Sequence, residues 1–220
     1  MRKKIIQEIE KEAKKYFVGA SGCHDWTHIE RVKNLALHIG KEEKADLFVV
    51  EIAALLHDIG RKEEIEKRGL VCHAAYGAKM AEKILQKYGL QENVIANIAH
   101  SISAHRYKNE GDIPKTTEAK VLFDADKLDS LGAVGIGRIF LFAGNAGSKK
   151  LYTGREKQLA KSGSSLAYSK DDTAVLEYEI KLKFVKKKIY TKTGRKIAQE
   201  RSLYMDDFFK RMWLEVAGKK

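Results

Sequence analysis

The stretch "EIAALLHDIG", Glu51 to Gly60, decides the fold. Ile52, Ala53, Ala54, Leu55 and Leu56 leave almost no polar face, so the segment reads as a helix driven into a core rather than laid upon one. At its end His57 and Asp58 stand side by side. Burying either group without a partner costs roughly several kcal/mol. Something must satisfy both, and a metal ion is one candidate.

Outward from that stretch the chain keeps a helical rhythm. Apolar residues recur at 3.6-type spacing, and Pro114 is the only proline. The pattern predicts an all-α protein with helices over about 3–17, 25–40, 44–58, 70–88, 92–105, 116–129, 131–143, 172–187 and 195–217. Gly19, Gly22, Gly40, Gly60, Gly69 and Gly89 read as breakers or helix C-caps between them. Arg106 to Thr117 reads as a loop from its Asn, Gly, Asp and Pro. The expected organisation is a single domain over 1–220, a compact multi-helix bundle with a helical extension: a core at about 20–143, a loop at about 144–170 and C-terminal helices at about 171–217. The loop is rich in Gly, Ser and Lys and reads as mobile, either a lid or a plain surface insertion. Met205, Phe208, Phe209 and Trp213 are the expected anchors of the last helix.

The composition narrows the class. With 42 basic and 30 acidic residues the net charge is +12, which points to anionic partners: phosphorylated small molecules, nucleic acid or an acidic surface. Solvated Lys- and Glu-rich helix faces produce the same sum, so charge alone selects none of these. No apolar run approaches a membrane span. The amphipathic N-terminus "MRKKIIQEIEKEAKKYF" lacks the apolar stretch and cleavage site of a secretory signal, so the expected location is cytoplasmic. Cys23 and Cys72 are the only cysteines and form no CxxC pair, which excludes a disulfide framework and a cysteine zinc site.

Other groups share the chemistry of the His57–Asp58 doublet. "GCHDWTHIERVKNLALHIG" has a buried stripe of Ile29, Val32, Leu35, Ala36 and Ile39, and His28 lies at its edge. Asp126 follows the apolar Val121, Leu122 and Ala125, as conspicuous behind "VLF" as Asp58 behind "ALLH". His28, His57, Asp58 and Asp126 offer two nitrogens and two carboxylates, a donor set that suits Mn²⁺, Fe²⁺, Co²⁺, Ni²⁺ or Zn²⁺, with Mn²⁺ favoured. Adjacent residues on one helix point about 100° apart, so a shared ion would sit beside the helix with other helices closing round it.

This ordered set resembles the HD-domain phosphohydrolase superfamily. "HDWTHIERV", "ALLHDIGR", "HAAYGAKMAEKIL", "DADKLDSLGAVGIGR" and "TKTGRKIAQERSLYMDDFFKRMWLE" look like the small bacterial and archaeal HD hydrolases, over about residues 20–215. By position His28 matches the family's first histidine, His57 and Asp58 its doublet, and Asp126 its final aspartate. The resemblance implies an all-α fold, a divalent metal and hydrolysis of a phosphate ester or anhydride, with a nucleotide as favoured substrate. In binuclear relatives further histidines bind a second metal; His73 and His100 match those places, and His105 extends the set. These three otherwise read as groups that touch substrate phosphate or pack. Several HD nucleotidases carry an acidic residue three positions after the doublet aspartate, where this chain has Arg61. "HDIGR" instead resembles the "HDIGK" of cyclic-dinucleotide phosphodiesterases, whose basic residue contacts phosphate. Glu63 and Glu64 follow and read as facing solvent.

Arg31, Arg61, Lys127 and Arg138 are therefore candidate phosphate contacts, and Asp58 or Asp129 a candidate proton acceptor. Asp25 reads as an N-cap or as an acceptor from His28, and His38 as filler. The competing readings are a dinucleotide phosphodiesterase, and a nucleic-acid-binding protein with a vestigial site. A homo-oligomer is compatible with either.

Overall fold

The computed structural model describes residues 2–20, 22–106, 113–162 and 172–220. Among the described residues every regular element is helical, and no helix is long and apolar enough to cross a membrane. The helices are α1 (Arg2–Lys14), α2 (Trp26–Glu42), α3 (Leu47–Leu56), α4 (Arg61–Glu66), α5 (His73–Leu85), α6 (Glu92–Ser103), α7 (Thr117–Leu128), α8 (Gly132–Asn145), α9 (Glu156–Ser162), α10 (Ala174–Glu177), α11 (Lys183–Val185) and α12 (Lys192–Val216). A π-helical turn, Tyr178–Leu182, joins α10 to α11. The chain divides into two compact units: Met1–Asp126 with Tyr190–Gly194, and Lys127–Ile189 with Arg195–Lys220.

In the first unit α3 is the central helix. It packs against α1, α2 and α6, and α5 lies along α6. Ile52 to Leu56 have no exposed surface, as expected of a helix apolar on all sides. Ile52, Leu55 and Leu56 each contribute about 1.5–3 kcal/mol on burial. Asp46 caps α3, its carboxylate accepting the Phe48 N–H. Asp25 caps α2 in the same way, accepting the N–H of His28. Along α2, Ile29, Val32, Ala36 and Ile39 are fully buried, Leu35 partly, and His38 is exposed.

Two local outcomes depart from the periodicity. The helix expected over 44–58 stops at Leu56, so His57 is its C-cap and Asp58 begins the turn that follows. That turn leads at once into α4, which the pattern did not mark. Gly60 does more than break the helix: a Cβ there would meet the His73 carbonyl oxygen at 2.4 Å and the Gly77 nitrogen at 2.8 Å. The doublet's turn therefore lies directly on the start of α5, with backbone against backbone.

Asp124 holds the unit's closing segment. It is fully buried and accepts the backbone N–H groups of Tyr190 (2.9 Å) and Thr191 (2.7 Å) and the Thr191 hydroxyl (2.7 Å).

In the second unit, the stretch read as a loop over 144–170 contains helix α9, and residues 163–171 lie outside those described. Residues 107–112 of the Arg106–Thr117 loop lie outside them as well. Of the four expected anchors on α12, Met205 and Phe209 are buried, whereas Phe208 is 36% exposed and Trp213 only half-buried. One helical face cannot point all four inward, because Phe208 and Phe209 are neighbours about 100° apart. Phe209 stacks on Tyr178 with ring centroids 4.0 Å apart, and the Tyr178 hydroxyl donates to Asp206.

Candidate metal centre

The first unit gathers its titratable groups where α2, the α3–α4 turn, α5, the end of α6 and α7 meet. His28 comes from the first turn of α2, held by the Asp25 cap. His57 and Asp58 arrive at the end of α3, and Asp126 comes from α7. His28 and His57 have no exposed surface and Asp58 has 2%.

His57 Nε2 lies 3.3 Å from His28 Nε2 and 3.9 Å from Asp58 Oδ2. Asp126 Oδ1 lies 3.4 Å from His28 Nε2 and 4.0 Å from His57 Nε2. The tautomers follow from the outer contacts. His57 Nδ1 is 2.8 Å from the Ala54 carbonyl, which can only accept, so Nδ1 carries the proton and the Nε2 lone pair faces inward. His105 repeats the device: it follows the end of α6, and its Nδ1–H donates to the Ile102 carbonyl at 2.6 Å. Both acceptors lie in the last turn of a helix, where carbonyls lack intrahelical partners. Outer hydrogen bonds of this kind orient metal-ligating imidazoles.

The donor set fits a divalent ion. Three triads, His28–His57–Asp126, His24–His28–Asp58 and His57–Asp58–His105, each bring their ligand atoms within 4.8 Å of one another. Two imidazole nitrogens about 2.0–2.1 Å from one ion sit roughly 3 Å apart when they occupy adjacent positions, close to the His28–His57 spacing.

Asp58 faces two ways. Its Oδ2 is 3.2 Å from His24 Nδ1 and 3.9 Å from both His28 and His57 Nε2. Its Oδ1 is 3.5 Å from His73 Nε2 and 3.5 Å from His105 Nε2. Arg61 grips the same carboxylate, with Nη2 donating to Oδ1 at 2.9 Å and Nε to Oδ2 at 3.3 Å. Burial alone would raise the Asp58 pKa; the Arg61 guanidinium that grips the carboxylate outweighs it and holds Asp58 well below the usual carboxylate range. Burial pushes His57 down to about 4, and burial followed by the nearby His105 and Arg61 pushes His73 well below the usual imidazole range. Neutral His57 and His73 beside an ionised Asp58 are protonation states that metal binding requires.

Other expected site residues have partners of their own. His100 is outside the cluster and accepts the Lys115 N–H at 3.0 Å. Arg31 donates to the Thr27 hydroxyl at 3.0 Å. Lys127, Asp129 and Arg138 belong to the second unit, where Asp129 is buried and accepts from Arg138 at 2.7 Å.

Two groups at the site were not expected there. Glu64, expected to face solvent, accepts from His73 Nδ1 at 2.8 Å and Arg61 Nη1 at 3.1 Å. Arg106 lies with Nη2 3.1 Å from Glu64 Oε1. The signal for Glu64 was its place three residues after Arg61, which a continuing helix turns to the same side. Nothing local marks Arg106 except its position directly after His105.

The HD domain family profile matches residues 25–131. The chain is 30% identical to the uncharacterised protein YpgQ of Bacillus subtilis over 218 residues, covering 98% of this chain and 95% of YpgQ. The crystal structure of YpgQ in complex with ADP matches with a TM-score of 0.73, over 96% of this chain and 94% of that one. An HD-superfamily hydrolase from Bacillus thuringiensis, 24% identical, shares the fold with a TM-score of 0.72 over 99% of each chain. Fold, site geometry and these likenesses agree: the chain belongs to the HD-domain superfamily of hydrolases.

Proposed function

We propose that this protein is a metal-dependent phosphohydrolase of nucleotides, with His28, His57, Asp58 and Asp126 holding the ion. The observation that carries the reading is the convergence of two imidazole nitrogens and two carboxylates, with the His57 tautomer set by a backbone acceptor. The nucleotide as substrate is supported by YpgQ, whose structure was solved with ADP.

A bound divalent ion supplies Lewis acidity toward a phosphoryl oxygen and lowers the pKa of water. The chain's own residues do the rest. Arg61 neutralises Asp58 and sets its orientation. Glu64 fixes the His73 ring by accepting from its Nδ1–H. Asp58 is the proton acceptor we favour within the cluster.

A second ion is supported by one specific feature. Asp58 presents Oδ2 to His28 and His57 and Oδ1 to His73 and His105, the disposition of a bridging carboxylate. Metal analysis of the purified protein separates one ion per chain from two. A screen of nucleoside mono-, di- and triphosphates and of cyclic dinucleotides, with Mn²⁺, Fe²⁺, Co²⁺, Ni²⁺ and Zn²⁺ in turn, tests the function. Turnover of nucleotides is expected. Turnover of cyclic dinucleotides alone would move the assignment to a phosphodiesterase, and no turnover with any ion would overturn it.

A further inference from the structure

Glu64 has a partner that the reading above leaves without a task. Its Oε2 is occupied by the His73 Nδ1–H and by Arg61 Nη1. Its Oε1 is buried and 3.1 Å from Arg106 Nη2, close enough for an ion pair but without an aligned hydrogen bond. The charge of Arg106 is thus held in place while its donors are not locked in direction.

Arg61 and Arg106 differ in what they have left to offer. All three nitrogens of the Arg61 guanidinium are engaged, Nε and Nη2 on Asp58 and Nη1 on Glu64. The partners of Arg106 among the described residues are Glu64 and the Cys72 thiol. A guanidinium carries more N–H donors than those contacts use, in a planar fork that matches phosphate oxygens. The Arg106 side chain is 20% exposed, so an anion can reach it.

We infer that Arg106, positioned by Glu64, grips the second phosphoryl group of a substrate that carries a phosphoanhydride chain. This rests on the phosphohydrolase reading. The contacts run from Asp58 to His73, from His73 to Glu64, and from Glu64 to Arg106. Arg106 is therefore not among the direct partners of Asp58, and an anion that reaches it from the candidate metal ligands extends past them toward Glu64. The Glu64 charge restricts the long Arg106 side chain before substrate arrives, which lowers the entropic cost of the contact.

Calorimetric titration of pyrophosphate and of orthophosphate into Mn²⁺-loaded and metal-free protein tests this without catalysis. Arg106→Ala is expected to weaken pyrophosphate binding by about tenfold to hundredfold, the loss of one charge-assisted contact. Orthophosphate affinity and metal stoichiometry should stay unchanged. Arg106→Lys should recover part of the loss, since the charge survives and the fork does not. Glu64→Gln keeps an acceptor for His73 but removes the charge under Arg106; its KM should rise more than its kcat falls. Arg106→Ala binding pyrophosphate as well as wild type does, losing both anions equally, or releasing the metal would each overturn the assignment. If wild-type protein hydrolyses no nucleotide, the proposed function falls, and the pyrophosphate titration still decides the role of Arg106.

Discussion

A Cβ on Gly60 would lie 2.4 Å from the carbonyl oxygen of His73, so at Gly60 the turn that carries the doublet meets the helix that carries His73 backbone to backbone. Two candidate ligand sources are thereby held at a separation that no side chain can enter. Gly60→Ala must push α5 away from the turn. We expect a loss of about 1–3 kcal/mol in stability, together with weaker metal binding. Chemical denaturation and metal titration of the variant check both; a Gly60→Ala protein with wild-type stability and metal affinity would show that the contact is slack.

His57→Ala and Asp126→Ala should each lower metal occupancy and reduce hydrolysis by at least about hundredfold, with helicity largely kept. Elemental analysis, circular dichroism and initial rates separate these effects. Asp126→Ala with near-wild-type turnover at limiting metal would remove Asp126 from the ligand set.

The buried imidazoles set a pH dependence. His57 is pushed down to about 4 by burial, below its ordinary value of 6.5, and the same cause depresses His73 and His24. As pH falls from about 6.5 toward about 4 the unfolded chain takes up protons that the folded chain refuses, so stability is full above that window and is lost through it. Chelator-treated protein should show a falling Tm across this range, and metal affinity should fall in parallel because protons and ion compete for Nε2. A flat Tm between about pH 7 and about pH 4.5 would contradict a neutral, buried His57.

Arg61 binds Asp58 through two nitrogens and Glu64 through a third, so its loss acts through both carboxylates. Arg61→Ala is expected to reduce kcat/KM by about tenfold to hundredfold and to loosen the metal, because Asp58 loses its orienting partner. Arg61→Lys should restore part of the charge effect but not the bidentate grip. Arg61→Glu, which sets a third carboxylate beside Asp58 and Glu64, should be worse than alanine; a more active Arg61→Glu enzyme would show that this position serves proton transfer.

Asp124 accepts two backbone N–H groups and one hydroxyl with no exposed surface. Asp124→Ala strands those donors and should cost about 3 kcal/mol or more, lowering Tm without a specific effect on metal stoichiometry in the protein that remains folded. Loss of metal at full helicity would instead tie Asp124 to the site.

The sequence by itself determined that the protein is helical, that the end of α3 from Ile52 to Leu56 is buried on all sides, and that His28, His57, Asp58 and Asp126 are the conspicuous polar groups beside apolar stretches. Those properties are local: a period of 3.6 residues, a polar pair behind five apolar residues, and the order of a known family. Tertiary structure decided the rest. His105 enters the cluster while His100, five residues earlier, does not, because only His105 lies just beyond the end of α6 with the Ile102 carbonyl to orient it. Glu64 faces inward because the chain re-enters a helix at Arg61, and Arg106 matters because it meets Glu64, 42 positions away by number. Asp124 and Asp126 look alike in "DAD", yet one ties down Tyr190 and Thr191 and the other faces His28. Residue type and spacing constrain which face of a helix a group occupies. Which groups then meet depends on how helices far apart in the chain pack, and that packing is set by steric detail such as the missing side chain at Gly60.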